Sequence, residues 1–146
     1  MIIFNVDEGF QFKLSDKLLL KKWIKAVAAD FGNTVGDISY MFCSDDKILE
    51  VNKQYLSHDY YTDIITFDYV EGTRLSGDIF ISVDTVRSNA EKFSQSFENE
   101  LHRVIIHGVL HLCGLKDKTP SDEANMHAAE DKALEKFALL KIQNDI

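Results

Sequence analysis

Two histidines and an aspartate in one short stretch are the side chains best suited to chemistry: His107, His111 and Asp117. On a helix, four residues advance the side chain by about 400°, so the two imidazoles stand on one face, a turn apart. Gly114 follows where the helix is expected to end, because glycine enters the left-handed conformation without the steric cost of a Cβ. The chain can then turn back and bring Asp117 toward the imidazoles. Such a set leaves one coordination position of a divalent metal open for water or substrate, as catalytic zinc sites do.

Two histidines at this spacing also occur as packing or surface residues, so the surroundings of the pair matter. The helix around them is strongly apolar, which predicts partly buried imidazoles that need partners and favours the metal site. Gly108 stands where zinc proteases of the H-E-x-x-H kind carry the glutamate that acts as general base, so that route to peptide hydrolysis has no base here. Cys113, two positions after His111, points to another helix face and is predicted to be a small core residue.

The elements that must position these residues follow from the apolar periodicity and from turn and cap signals. Strands are predicted at residues 2–5, 10–12, 37–43, 64–69 and 78–82. Helices are predicted at about 17–31, 45–55, 82–93 and 97–113, and a last helix opens at 121–123. Ser15 and Asp16 are expected to cap the first helix. The expected fold is α+β, with a mixed, mostly four-stranded sheet, about five helices and the histidine helix packed on the sheet.

Length and composition suit one domain over residues 1–146. The chain is 45% hydrophobic and has a single proline and scattered glycines, so no linker is evident. The amino terminus has neither a basic leader nor a long apolar core, and no apolar run approaches the length of a membrane span. We therefore expect a cytoplasmic protein without membrane contact. Cys43 and Cys113 do not make a disulfide framework, which fits a reducing compartment.

Several segments resemble one known family. Residues 107–117 read H-G-V-L-H-L-C-G-L-K-D, similar to H-G-x-L-H-L-x-G-x-x-H, and residues 52–67 resemble N-x-x-Y-R-x-x-D-x-P-T-D-V-L-S-F. Residues 77–82 resemble a following G-D-I-x-I strand, and Glu100, Met126 and Glu130 also fall at matching places. These are the signatures of the YbeY family, bacterial metal-dependent endoribonucleases implicated in ribosomal RNA maturation. The resemblance spans nearly the whole chain in the right order.

The resemblance implies a single-strand endoribonuclease that matures the 3′ end of small-subunit ribosomal RNA and takes part in ribosome quality control. RNA phosphodiester hydrolysis by metal-activated water would then occur at a centre held by His107, His111 and Asp117. One Zn²⁺ ion per chain is expected, with Mn²⁺ or Ni²⁺ as possible alternatives, and no organic cofactor. The expected partners are ribosomal RNA and ribosomal proteins or the small subunit.

The chain departs from the family pattern at three places. Asp117 replaces a third histidine; carboxylate oxygen binds zinc at nearly the same distance, but its negative charge should make the metal a weaker Lewis acid. Leu56 replaces an arginine proposed to act on the RNA phosphate, and leucine cannot bind an anion. Lys53, His58, Lys116 and Lys118 are the candidate substitutes. Tyr61 in place of proline, and residues 115–116 in place of tyrosine-aspartate, are expected to affect local turns.

The charge balance argues against a broad nucleic-acid surface. A net charge of −8 is the reverse of a basic footprint, so any RNA binding must be local. The cations available for a local groove are Lys47, Lys53, Arg74, Arg87, Arg103, Lys116 and Lys118. Among the other polar residues, Asp63 and Asp78 are candidates to orient a ligand histidine or to make turn contacts, and His58 to contact phosphate. His102 and His127 are expected to be ordinary core or surface histidines.

Two other functions stay open at this point. One is a metallohydrolase of another substrate class, such as a peptide or a small ester, against which Gly108 argues. The other is a non-catalytic ribosome assembly factor with a structural metal, which Leu56 favours. Loss of stability on chelation would favour the structural metal, since binding free energy then becomes folding free energy.

Overall fold

A four-stranded mixed sheet forms the centre of the fold in the computed structural model, which describes residues 1–56 and 62–145. The strands are β1 (Ile2–Val6), β2 (Thr34–Cys43), β3 (Ile64–Asp68) and β4 (Arg74–Ser82). Their spatial order is β1-β2-β4-β3; β2 is parallel to both β1 and β4, and β3 is antiparallel to β4. The antiparallel edge strand is what makes the sheet mixed.

Five helices cover this sheet in the described part of the chain. They are α1 (Lys17–Asp30), α2 (Asp45–Leu56), α3 (Val83–Lys92), α4 (Phe97–Leu112) and α5 (Pro120–Asn144). Successive side chains of a strand point to opposite faces of the sheet. In β2, Tyr40 and Phe42 belong to the main core with α1, α4 and α5, whereas Cys43 joins a smaller cluster under α2. The predicted α+β class, mixed sheet and helix number are confirmed.

Helix α4 is the element that fixes the site. Ser96 caps its start by accepting a hydrogen bond from the Asn99 backbone N–H, and the Tyr40 hydroxyl donates to the Ile105 carbonyl at 2.9 Å. The buried Gly108 lies against the sheet so closely that a Cβ there would come within 2.9 Å of Ile79 Cδ1. Gly114 has φ of 103°, the left-handed conformation expected where the helix stops.

Two predicted features are wrong. Residues 10–12 form no strand. The centroid of the Phe12 ring lies 5.2 Å from that of Phe42, so this side chain packs against the core although its backbone does not pair with the sheet. Asp16 precedes α1 but makes no side-chain cap, because its backbone is left-handed (φ 59°) and its carboxylate lies 3.7 Å from the Lys141 amine. The last helix begins one residue before the predicted opening, with Thr119 as its cap.

Neither cysteine forms a disulfide. Burial, with the negative charge of nearby Asp7, raises the pKa of the Cys43 thiol to about 12, so it is an inert core residue. Cys113 is half-buried and packs against the main core. Within residues 1–56 and 62–145, no helix combines the length and apolar character needed to cross a bilayer.

His102 is a core histidine, as expected, and it predicts how stability depends on pH. Its ring lies 4.4 Å from the Phe137 ring, and burial lowers its pKa. The unfolded chain therefore binds a proton at this histidine more readily than the folded chain. The stability that neutral, buried His102 contributes is complete above about pH 6.5 and is lost as pH falls toward the lowered folded-state pKa. We expect His102→Phe to flatten the fall in unfolding free energy between pH 8 and pH 5, by about 1.4 kcal/mol per unit of pKa difference.

Urea unfolding at several pH values measures this effect. Phe137→Leu is the matched control, because it alters the same ring contact without removing an ionisable group and should keep the slope of the wild-type pH profile. A His102→Phe profile as steep as that of the native chain would show that other groups set the acid sensitivity.

Candidate metal centre

The three predicted ligands lie around one pocket. His107 and His111 occupy the last turns of α4, and Asp117 lies in the loop between α4 and α5. All three line an open cavity of about 430 Å³, here called the ligand pocket. Its described lining residues are Asn52, Leu56, Thr62, Ile64, Ile65, Thr66, His107, His111, Asp117 and Lys118. A larger cavity of about 670 Å³ between α1 and α5 contains none of the predicted ligands, so size alone does not identify the site.

His107 and Asp117 are spaced as two ligands of one ion would be. The His107 Nε2 atom lies 3.5 Å from Asp117 Oδ2. Ligand atoms about 2.1 Å from a tetrahedral zinc ion are about 3.4 Å apart, so this pair fits. His111 lines the same pocket, but in the described residues no three His, Cys, Asp or Glu side chains are arranged to hold one ion as they stand. The structure thus pairs two of the predicted ligands and places the third beside them.

Glu130 fixes the orientation of His107. Its Oε2 lies 2.6 Å from His107 Nδ1, and because a carboxylate only accepts, Nδ1 is the donor; in the neutral imidazole the Nε2 lone pair is then free on the Asp117 side. Asp63 and Asp78, the carboxylates expected to orient a ligand histidine, do not make this contact, which the structure assigns to Glu130. Asp63 lines an adjacent pocket with His107, whereas Asp78 lies outside both pockets.

Arg103 holds Glu130 in turn. It lies one helical turn before His107, and its guanidinium donates to Glu130 Oε1 at 3.0 Å and to Asp131 Oδ1 at 2.6 Å. The hydrogen bond from Arg103 lowers the pKa of Asp131. Since the Glu130 side chain is only 8% exposed, this contact gives a buried carboxylate its counter-charge. The chain of contacts joins α4 to α5.

The electrostatic surroundings of His107 favour a cation. Burial raises the pKa of both Asp63 and Glu100, which line the adjacent pocket with Arg103 and Glu130. Burial disfavours the imidazolium of His107, but the hydrogen bond and charge of Glu130 outweigh it and raise the pKa of this histidine. Several carboxylates therefore surround an imidazole whose second nitrogen opens into the ligand pocket. A positive ion would be stabilised there.

The seven candidate cations are not equivalent in the structure. Lys118 lines the ligand pocket and Arg103 the adjacent one. Arg87 lies over the Phe97 ring, 4.5 Å from its centroid, and Lys47 pairs with Glu50 at 3.8 Å. Leu56 also lines the ligand pocket, so an apolar side chain occupies that part of the wall. His58 and Tyr61 lie outside the described residues.

Comparison with known proteins gives a consistent result. A protein from Phocaeicola vulgatus named Endoribonuclease YbeY is 69% identical over 117 residues, covering 80% of this chain and 85% of its own. A protein of the same name from Bacteroides thetaiotaomicron is 61% identical, covering 87% of this chain and 93% of its own. Among solved structures, that of TM1509 from Thermotoga maritima is similar with a TM-score of 0.67 and 27% identity, over 99% of this chain and 93% of that one. The model of the family described as Endoribonuclease YbeY matches residues 4–138, and this chain therefore belongs to the YbeY endoribonuclease family.

Proposed function

We propose that this chain is a metal-dependent, single-strand endoribonuclease that matures the 3′ end of small-subunit ribosomal RNA and serves ribosome quality control. One domain over residues 1–146 would carry the activity in the cytoplasm, with the small subunit as its partner. The observation that supports this most is the pairing of His107 Nε2 with Asp117 Oδ2 at 3.5 Å, with Glu130 on the other ring nitrogen. This is the arrangement of an oriented ligand histidine.

His107, His111 and Asp117 are the residues that would hold the ion. The two imidazoles and one carboxylate suit Zn²⁺, with Mn²⁺ or Ni²⁺ as alternatives. When bound, the metal would supply an activated water and polarise the phosphoryl oxygen. The protein's own part is positional. Helix α4 carries both imidazoles, Glu130 would keep the proton of His107 on Nδ1, and the pocket that they line is open to solvent.

A ribosome assembly factor with a structural metal is the second candidate. The apolar Leu56 in the pocket wall favours it, since this side chain cannot bind a phosphate. A zinc peptidase has less support. Gly108 lies against Ile79 on the sheet side of α4, which leaves no room for a glutamate base.

Cleavage of an RNA that spans the unprocessed 3′ end of small-subunit ribosomal RNA tests the proposal. We expect the purified protein to cleave it, and expect His111→Ala or a chelator to abolish cleavage. His102→Phe is the matched control, because His102 does not line the pocket and its replacement should leave activity intact. Equal cleavage by His111→Ala would contradict the proposed centre. No cleavage by the native chain, with retained binding to small subunits, would favour the assembly factor.

A further inference from the structure

The ligand pocket contains one lysine or arginine among its described lining residues, and that residue is Lys118. Any phosphodiester that enters the pocket brings a negative charge, and its hydrolysis develops a further one. Asp117 adds its own negative charge at the same place. A positively charged side chain within reach of the phosphate would offset this negative charge alongside the proposed metal ion.

Lys118 is available for this contact. Its side chain is exposed, and within residues 1–56 and 62–145 it makes no ion pair in this structure. Other lysines are engaged: Lys136 lies 2.9 Å from Asp30, and Lys141 lies 3.7 Å from Asp16. An anion that binds Lys118 therefore displaces no ion-pair partner among the described residues.

The backbone at Lys118 is held on both sides. Asp117 precedes it in the pocket wall, and the next residue, Thr119, caps α5. The Thr119 hydroxyl accepts from the Asp122 backbone N–H at 3.0 Å, and the Thr119 N–H donates to the Asp122 carboxylate at 3.3 Å. This reciprocal cap fixes where the Lys118 side chain starts, and the side chain itself forms part of the pocket wall.

We infer that Lys118 contacts the phosphate of the RNA strand beside the metal ligands and stabilises its negative charge. The inference rests on the proposed function, because it gives the substrate a phosphodiester at that pocket. Lys116 provides the contrast. It lies on the same loop, is also exposed and carries the same charge, but it does not line the pocket.

The test compares Lys118→Met with Lys116→Met, which remove the same charge from the same loop while keeping side-chain length. Cleavage of the 3′-end ribosomal RNA gives kcat/KM, and binding of that RNA is measured separately in chelator over a range of salt concentrations. We expect Lys118→Met to lower kcat/KM by roughly 10- to 100-fold and to reduce the slope of log affinity against log salt by about 0.7 to 1. Lys116→Met should stay within about twofold of the native chain.

Lys118→Arg separates charge from structure. Arginine keeps the positive charge and should retain most of the activity and the salt slope. Equal defects in Lys118→Met and Lys116→Met, or an arginine variant as defective as the methionine one, would overturn the inference while cleavage by the native chain still supported the proposed function. If the native chain binds the RNA but does not cleave it, the proposed function fails. The salt slopes of the two methionine variants then decide the role of Lys118 alone.

Discussion

Replacement of Glu130 by glutamine is expected to weaken Zn²⁺ binding by about 10- to 100-fold without unfolding the chain. Glu130 Oε2 accepts a hydrogen bond from His107 Nδ1 at 2.6 Å, and Glu130 Oε1 accepts one from the Arg103 guanidinium at 3.0 Å. Glutamine keeps the size of the side chain but removes its charge. The imidazole then becomes a weaker donor to a metal, and because an amide can present either its oxygen or its NH2 group, the tautomer of His107 is no longer fixed.

Titration of the metal-free protein with Zn²⁺ measures this effect directly. Glu135→Gln is the matched control, because Glu135 is an exposed carboxylate on the same helix. Asp63→Asn is the informative third variant, since Asp63 also lines a pocket with His107. Unchanged zinc affinity in Glu130→Gln would contradict the orienting role. A loss confined to Asp63→Asn would transfer that role to Asp63.

Introduction of glutamate at Gly108 is expected to destabilise the chain by roughly 3 kcal/mol or more. Gly108 is buried between α4 and the sheet, where even a Cβ would lie 2.9 Å from Ile79 Cδ1 and 3.2 Å from Ile64 Cδ1. A longer, charged side chain must either separate the helix from the sheet or ionise without a partner. The same close packing explains why a peptidase base is absent from this helix.

Chemical denaturation of Gly108→Glu beside Gly108→Ala measures the effect. A methyl group meets only the movable ends of isoleucine side chains, and alanine regains about 1 kcal/mol of helix propensity, so Gly108→Ala should stay within about 2 kcal/mol of the native chain. A Gly108→Glu chain of native stability would show that α4 can move away from the sheet at little cost.

The fold was predictable because its elements carry strong local patterns. The apolar periodicity of α4 and the alternation in β2 each indicate the buried face without knowledge of the partner. The segment at residues 10–12 misled for the same reason. Phe12 packs its ring on Phe42 from a loop. An apolar residue that packs from a loop gives the same local sequence pattern as a short strand.

The site was predictable only where it is local. His107 and His111 share a helix face through their spacing, and Gly114 marks the reversal that carries Asp117 back. The contact with Glu130 joins residues 23 positions apart on two helices, and no periodicity predicts which carboxylate of α5 meets the imidazole. One signal was available for Arg103. It lies four residues before His107, so it shares the ligand face of α4.

Helix α5 contributes to the candidate metal centre and to the core within a short segment. Glu130 bonds His107, Asp131 bonds Arg103, and the Ala133 carbonyl accepts from Trp23 Nε1 at 2.7 Å. Local opening of α5 must therefore break the support of His107 and the anchor of a buried tryptophan together. If the proposed ion binds at His107, it opposes that opening by mass action, and amide hydrogen exchange should then slow in this part of α5 as well as at the pocket. Occupancy of the proposed centre would thus be thermodynamically linked to closure of this segment of the carboxyl-terminal helix.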